Sequence, residues 1–182
     1  HGIIDGCLEL QARHEVNSGD IVAIEASVPP LVHQLVGRPP RPDMDVNYAR
    51  LCAAYVAARA LLTGTVDRDD FNASAYADTM ALAQKITITV DPSVGPNALV
   101  PINLTMKLAN GAAHTTQLCA VYGSPAKPMP RAAQIEKFRS NTAAAHAPLG
   151  NEQTERLIDK LQRLRERDDV ATLIPDMLGR AT

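Results

Sequence analysis

The sequence predicts an α+β chain: an antiparallel sheet of about four strands covered by helices, followed by C-terminal helices. Three observations carry that expectation. Ile86, Ile88 and Val90 alternate with Thr87 and Thr89, and Val100, Ile102, Leu104, Met106 and Leu108 alternate with Asn103, Thr105 and Lys107. A period of two marks strands with one apolar face. Asn110-Gly111 follows the second run and is the strongest hairpin signal in the chain, because a type I′ turn needs positive φ at both central positions. The third observation is Val46 to Phe71, the longest helical pattern, with a face of small residues at Ala49, Ala53, Ala54, Ala57, Ala58 and Ala60. A sheet with one apolar face needs a cover, and such helices supply it.

In order, residues 2–16 read as an amphipathic helix with Ile3, Cys7, Leu8, Leu10 and Val16 on one side, stopped by Asn17-Ser18-Gly19. Val22, Ile24, Ala26 and Val28 then alternate as a strand that ends at Pro29-Pro30. A short helical turn, LVHQLVG, leads to GRPPRPDMD, a proline-stiffened loop that presents Arg38 and Arg41. In the long helix Leu51, Tyr55, Ala58 and Leu62 share a side, and Gly64 stands where a C-cap is expected. A second helix covers about Ser74 to Lys85, with Ala77, Met80, Ala81 and Leu82 inward. If Asn110-Gly111 forms the whole loop, Ile102 faces Cys119 and Val100 faces Val121. Beyond Gly123-Ser124-Pro125, Arg131 to Ala145 is helical with Ile135 and Phe138 inward. Asn151 caps a charged helix with the stripe Leu157, Ile158, Leu161 and Leu164. Asp168 opens a last helix to Leu178, interrupted by Pro175.

The 182 residues are 46% apolar and 21% charged, with a net charge of -2. That balance gives no electrostatic footprint for nucleic acid or an anionic membrane, and no apolar run approaches the roughly 18 residues of a membrane span. Cys7, Cys52 and Cys119 are odd in number and far apart, which argues against a zinc site or disulfide framework. They read as small buried thiols in a reducing, cytoplasmic setting. A phosphate loop, a GxSxG elbow and an HExxH motif are all missing from the sequence. The five histidines, His1, His14, His33, His114 and His146, lack metal-ligand spacing. Arg38 and Arg41 are suited either to clamp a carboxylate or to stand solvated on the surface. Tyr55, a polar tip on a small-and-apolar helix, needs a buried partner, and on residue pattern alone it reads as a core tyrosine.

Taken in order, these pieces resemble the C-terminal part of the MmgE/PrpD family, which includes 2-methylcitrate dehydratase, cis-aconitate decarboxylase and iminodisuccinate epimerase. H-x-x-I-D at His1 to Asp5 is similar to the start of the family's lid domain. VPP and GRPPRP follow, then LCAAYVAARALLTGTV, similar to the family's F-S-x-P-Y-x-x-A-x-A-L-x-x-G block but with Leu51 and Ala54 where the family often has Phe and Pro. The strand end at Val90 to Pro92, G-S-P-x-x-P and I-E-K-F-R-x-N at Ile135 to Asn141 complete the series.

The resemblance implies a lid domain over residues 1–128 and C-terminal helices over 129–182 that pack on a helical domain not contained in this chain. It implies a cofactor-free and metal-free lyase that moves protons beside a carboxylate of a small di- or tricarboxylic acid, resembling 2-methylcitrate dehydratase; decarboxylation and epimerisation are the alternatives within the family. His1 matches the cleft histidine and so takes an acid/base role. Tyr55 matches the motif tyrosine and supports the site from behind. His33, Arg38 and Arg41 are the candidates for substrate contact. A homodimer is expected, with no nucleic-acid or membrane partner. The chain starts at His1, with a helical pattern already running by Ile3, so it reads as the later part of something longer. Alone, it is expected to be inactive. The rival is a non-catalytic α+β binding or dimerisation module on the same scaffold.

Overall fold

The computed structural model describes residues 1–178, and the chain forms two compact units, His1–Pro128 and a second from Met129 onward. Residues 179–182 of the expected C-terminal segment lie outside the described residues.

The first unit runs α1 (Gly2–Arg13), β1 (Ile21–Val28), α2 (Pro30–Val36), α3 (Val46–Arg50), α4 (Ala53–Thr63), α5 (Ala73–Ala83), β2 (Ile86–Val90), β3 (Ile102–Leu108) and β4 (Ala113–Leu118). The α+β class and the four strands match the sequence reading. Strand order is β2-β1-β3-β4. Both β1–β3 and β3–β4 are antiparallel, but β2 lies parallel to β1, from Ile24 opposite Ile86 to Val28 opposite Val90. The sheet is therefore mixed, not wholly antiparallel. The reason is the connection: four helices separate β1 from β2, the length a crossover needs to return a strand in the same direction.

Two registers also differ from expectation by one residue. Ile102 faces Leu118, not Cys119. Leu108 N–H donates to the Ala112 carbonyl and Gly111 N–H to the Leu108 carbonyl, so the loop has three residues. Gly111 alone takes a positive φ, +84°. This is a type I turn closed by a glycine bulge, not a type I′ turn, and the one-residue slip turns Leu118 inward and leaves Cys119 exposed. In β1 the pairing shifts between Ile21 and Ala23, so Ile21 is buried while Val22 is 48% exposed.

The helices cover one face. Ile3, Cys7 and Leu10 of α1 enter a core with Ile24, Ala26, Val28, Leu104 and Met106. Where α1 crosses β3 and β4 it offers glycines. A Cβ on Gly2 would stand 2.5 Å from Ile102 Cδ1, and one on Gly6 would stand 2.5 Å from Leu118 Cδ1 and closer still to Leu104 Cδ1. The opposite face is polar, with Lys107 paired to Glu25 and Gln117 donating to Asn103.

The expected long helix is two helices. Cys52 takes an extended conformation, pairs with Gly37 in an isolated bridge, and donates its thiol to the Arg38 carbonyl. That break rotates α4 relative to α3. Tyr55 and Ala58 are buried as read, but Leu51 and Leu62 are 44% and 42% exposed. Gly64 does cap α4, at φ +79°. On α5 Leu82 is buried as expected and Met80 packs half-buried against the core, but Ala75, Thr79 and Ala83 complete the inward face in place of Ala77 and Ala81, which are exposed.

In the second unit α6 (Arg131–Ala143) and α7 (Asn151–Gln162) are joined by a two-pronged ion pair, Arg139 to Glu155 at 2.6 and 2.9 Å. Leu157 and Ile158 are buried, whereas Leu161 and Leu164 are exposed. Gly150, not Asn151, holds the N-cap position of α7. Asp169, not Asp168, caps the following 3-10 turn, and Pro175 sits in the first turn of α8 (Ile174–Met177), where a missing N–H costs nothing. Lys160 pairs with Asp176 to hold α8 against α7. Among the described residues, no helix is long and apolar enough to cross a membrane.

Candidate functional site

A cleft of about 630 Å³ opens in the first unit beside the start of α1. Its walls come from α1 (His1, Ile4, Asp5, Leu8), from α2 (Val32, Val36), from the α3–α4 junction (Arg50, Leu51, Ala53, Val56) and from Gly64–Val66 after α4. The break at Cys52 matters here, because it ends α3 on Arg50 and leaves Leu51 on the cleft surface. Most of the lining is aliphatic, with charge supplied by His1, Asp5 and Arg50.

His1 occupies the N-cap position of α1 and makes no side-chain cap bond, so its imidazole is not committed to the helix end. Its carbonyl accepts the Asp5 N–H at 2.9 Å. Asp5 Oδ2 accepts the Tyr122 N–H at 2.8 Å, which ties the helix start to the segment after β4. Arg50 makes no ion pair or hydrogen bond among the described residues; its guanidinium lies 5.5 Å from the centre of the Phe71 ring. Such an arrangement offers an acid/base group, a carboxylate held in place and a cation along one surface.

Tyr55 is elsewhere. It is fully buried, its hydroxyl donates to the Asp70 carbonyl, and its ring meets Tyr76 edge-on at 5.2 Å. Arg59 Nε donates to Asp70 Oδ1 at 2.6 Å, and Asp70 Oδ2 accepts the Asp67 N–H at 2.7 Å. Burial pushes the Tyr55 phenol up to about 12. It does not line the cleft, so its contribution is to pack α4 against the turn at Asp70.

The other expected contacts are dispersed. His33, half-buried on α2, packs its ring against Gly37, where a Cβ would stand 2.7 Å from His33 Cδ2. Arg38 lines a second, smaller cleft of about 330 Å³ with Gln84 and Thr87. Arg38 and Arg41 both lie over the Tyr48 ring, at 5.0 and 4.1 Å, while Tyr48 donates its hydroxyl to the Pro39 carbonyl. Of the five residues singled out from sequence, only His1 is in the main cleft. Among the described residues, no group of three or more His, Cys, Asp or Glu is placed to hold a metal ion.

The profile of the MmgE/PrpD C-terminal domain matches residues 1–164. The chain belongs to the MmgE/PrpD family. No curated protein matches it. A C-terminal domain of this family implies an N-terminal domain as its partner. The family match runs through the whole first unit and on past the end of α7, so the cleft at His1 lies wholly within it.

Nothing in the residue pattern singles out Arg50. Within a continuous helix it is one more charge, and no local signal shows that the helix stops there. Asp5 is visible within H-x-x-I-D but has no role until its carboxylate is placed beside the cleft.

Proposed function

We propose that this chain is the C-terminal part of a cofactor-independent lyase that removes and delivers protons next to a carboxylate of a small di- or tricarboxylic acid, in the manner of 2-methylcitrate dehydratase. The observation that carries the reading is the cleft of a family member in which His1, with its side chain free of the helix cap, shares a surface with Arg50. An imidazole can accept and return a proton near neutral pH. A proton removed from carbon beside a carboxylate leaves negative charge on that carboxylate's oxygens, and a fixed cation stabilises it. In a dehydration, the electron pair then forms the carbon–carbon double bond as hydroxide leaves and is protonated to water. Decarboxylation and epimerisation use the same first requirements and differ in which bond breaks next.

His1 is the acid/base group in this reading. Tyr55 is a positioning residue only, holding α4 from behind. His33, Arg38 and Arg41 are outside the cleft wall and take no part in this reading. The family's N-terminal domain supplies the facing wall and further groups, so the chain alone does not turn over. A homodimer in the cytoplasm belongs to the same proposal.

The test is product detection on a panel of such acids, with the chain alone and with the chain assembled with its N-terminal domain. Turnover appears only in the assembly, and His1→Ala lowers kcat by roughly 10²–10⁴-fold. A near-unchanged kcat removes His1 from the mechanism. Robust turnover by the 182-residue chain alone overturns the two-domain requirement.

A further inference from the structure

We infer that Arg50 is the residue on this chain that anchors a substrate carboxylate, and thereby selects polycarboxylic acids over monocarboxylic ones. This rests on the reading that the cleft takes a small polycarboxylic acid, and it names the group that would recognise it.

Arginines in this unit differ in what already occupies them. Arg59 is bonded to Asp70. Arg38 and Arg41 stack on Tyr48 away from the main cleft's lining. Arg50 lines the cleft and has no ion pair or hydrogen bond among the described residues. Asp5 Oδ2 accepts the Tyr122 N–H and Asp45 Oδ1 the Tyr48 N–H, and among the described residues neither carboxylate pairs with Arg50. Its fork of donors therefore remains available.

The surroundings favour binding over mere solvation. Leu51, Val56, Val32 and Val36 make the neighbouring wall aliphatic, so it offers the guanidinium no competing polar partner. The Phe71 ring beside the guanidinium limits where the flexible side chain can go without using its N–H groups. A planar guanidinium matches a carboxylate in a two-pronged contact that lysine cannot reproduce. A two-pronged anchor also limits how the ligand can lie in the cleft that His1 lines.

The probe is tricarballylate, an unreactive tricarboxylate, titrated into the 182-residue chain and followed by amide NMR. Wild-type protein shows saturable shifts at Asp5, Arg50 and Thr65, while propionate at the same concentration shows none. Arg50→Gln weakens binding at least tenfold, Arg50→Lys falls between, and the double change Arg38→Gln, Arg41→Gln leaves it unchanged. Arg50 and Arg41 are exposed and Arg38 is half-buried, and a circular dichroism melt of each variant checks that it folds. Wild-type affinity in Arg50→Gln, shifts centred on Arg38 and Arg41, or no saturable shift in wild type would each overturn the inference. The two readings fail separately. If Arg50→Gln loses tricarballylate but the assembled protein processes no acid on the panel, the anchor stands and the lyase reading falls. If Arg50→Gln keeps its full kcat/KM in an active assembly, the lyase reading stands and the anchor falls.

Discussion

Arg50 and Tyr55 lie five positions apart on consecutive helices, yet their surroundings are opposites. Around Tyr55 the polar groups consume one another: phenol to the Asp70 carbonyl, Arg59 to the Asp70 carboxylate, that carboxylate to the Asp67 N–H. Arg50 and His1 themselves make no side-chain hydrogen bond among the described residues, and most of the cleft lining is aliphatic. The contrast teaches that a reactive residue type says little by itself. What separates structural from functional groups here is whether the fold has already used their bonds.

Removing Asp70 is the hardest blow to the closed side. Asp70→Ala strands Arg59 and loses the cap bond to Asp67. It should cost about 3 kcal/mol in denaturant unfolding, whereas Arg50→Ala should stay within about 0.5 kcal/mol. Equal costs would erase the distinction. Next, Gly6→Val drives a side chain into Leu104 and Leu118, both buried, and should cost about 2 kcal/mol by overpacking; circular dichroism melts would register it as a lowered Tm.

Tyr55→Phe should cost about 1 kcal/mol by leaving the Asp70 carbonyl unpaired, with tricarballylate affinity unchanged. It also alters alkaline unfolding. The Tyr55 phenol is raised in the fold to about 12 from an ordinary value near 10, so the unfolded chain releases that proton first. Wild-type stability therefore falls as pH rises from about 10 towards 12, and the Phe variant loses that component. The buried Cys7 thiol, also raised to about 12, adds a loss of the same sign that begins at lower pH. Least of all, Leu51→Gln on the cleft wall should change stability by no more than about 0.5 kcal/mol; a cost of several times that would mean the wall belongs to the core.

Much of this is readable in the residues. Strand alternation locates β2 and β3, Gly64 marks the end of α4, and the buried face Ile3, Cys7 and Leu10 follows from helical spacing. What escapes is set by tertiary contacts. No local signal says that Cys52 will leave a helical run to pair with Gly37, and without that break Arg50 and Leu51 cannot be placed. Nor does Asn110-Gly111 announce that Ala109 will join the loop and shift β4 by one residue. The parallel pairing of β2 depends on a crossover through α2 to α5, invisible to any window of a few residues. His1 stands out because it sits in a recognisable motif; the chemistry of its surroundings does not.

Gly2 gives the packing a bearing on the cleft. It stands next to His1, and the space a methyl group would need there is filled by Ile102 and Val121. The elevation of the imidazole above the sheet is thus gauged by an omission. Gly2→Ala would act as a shim, so that either the ends of Ile102 and Val121 swing aside or the start of α1, and His1 with it, shifts. In the second case the distance between the two sides of the cleft changes although neither gripping residue has been altered.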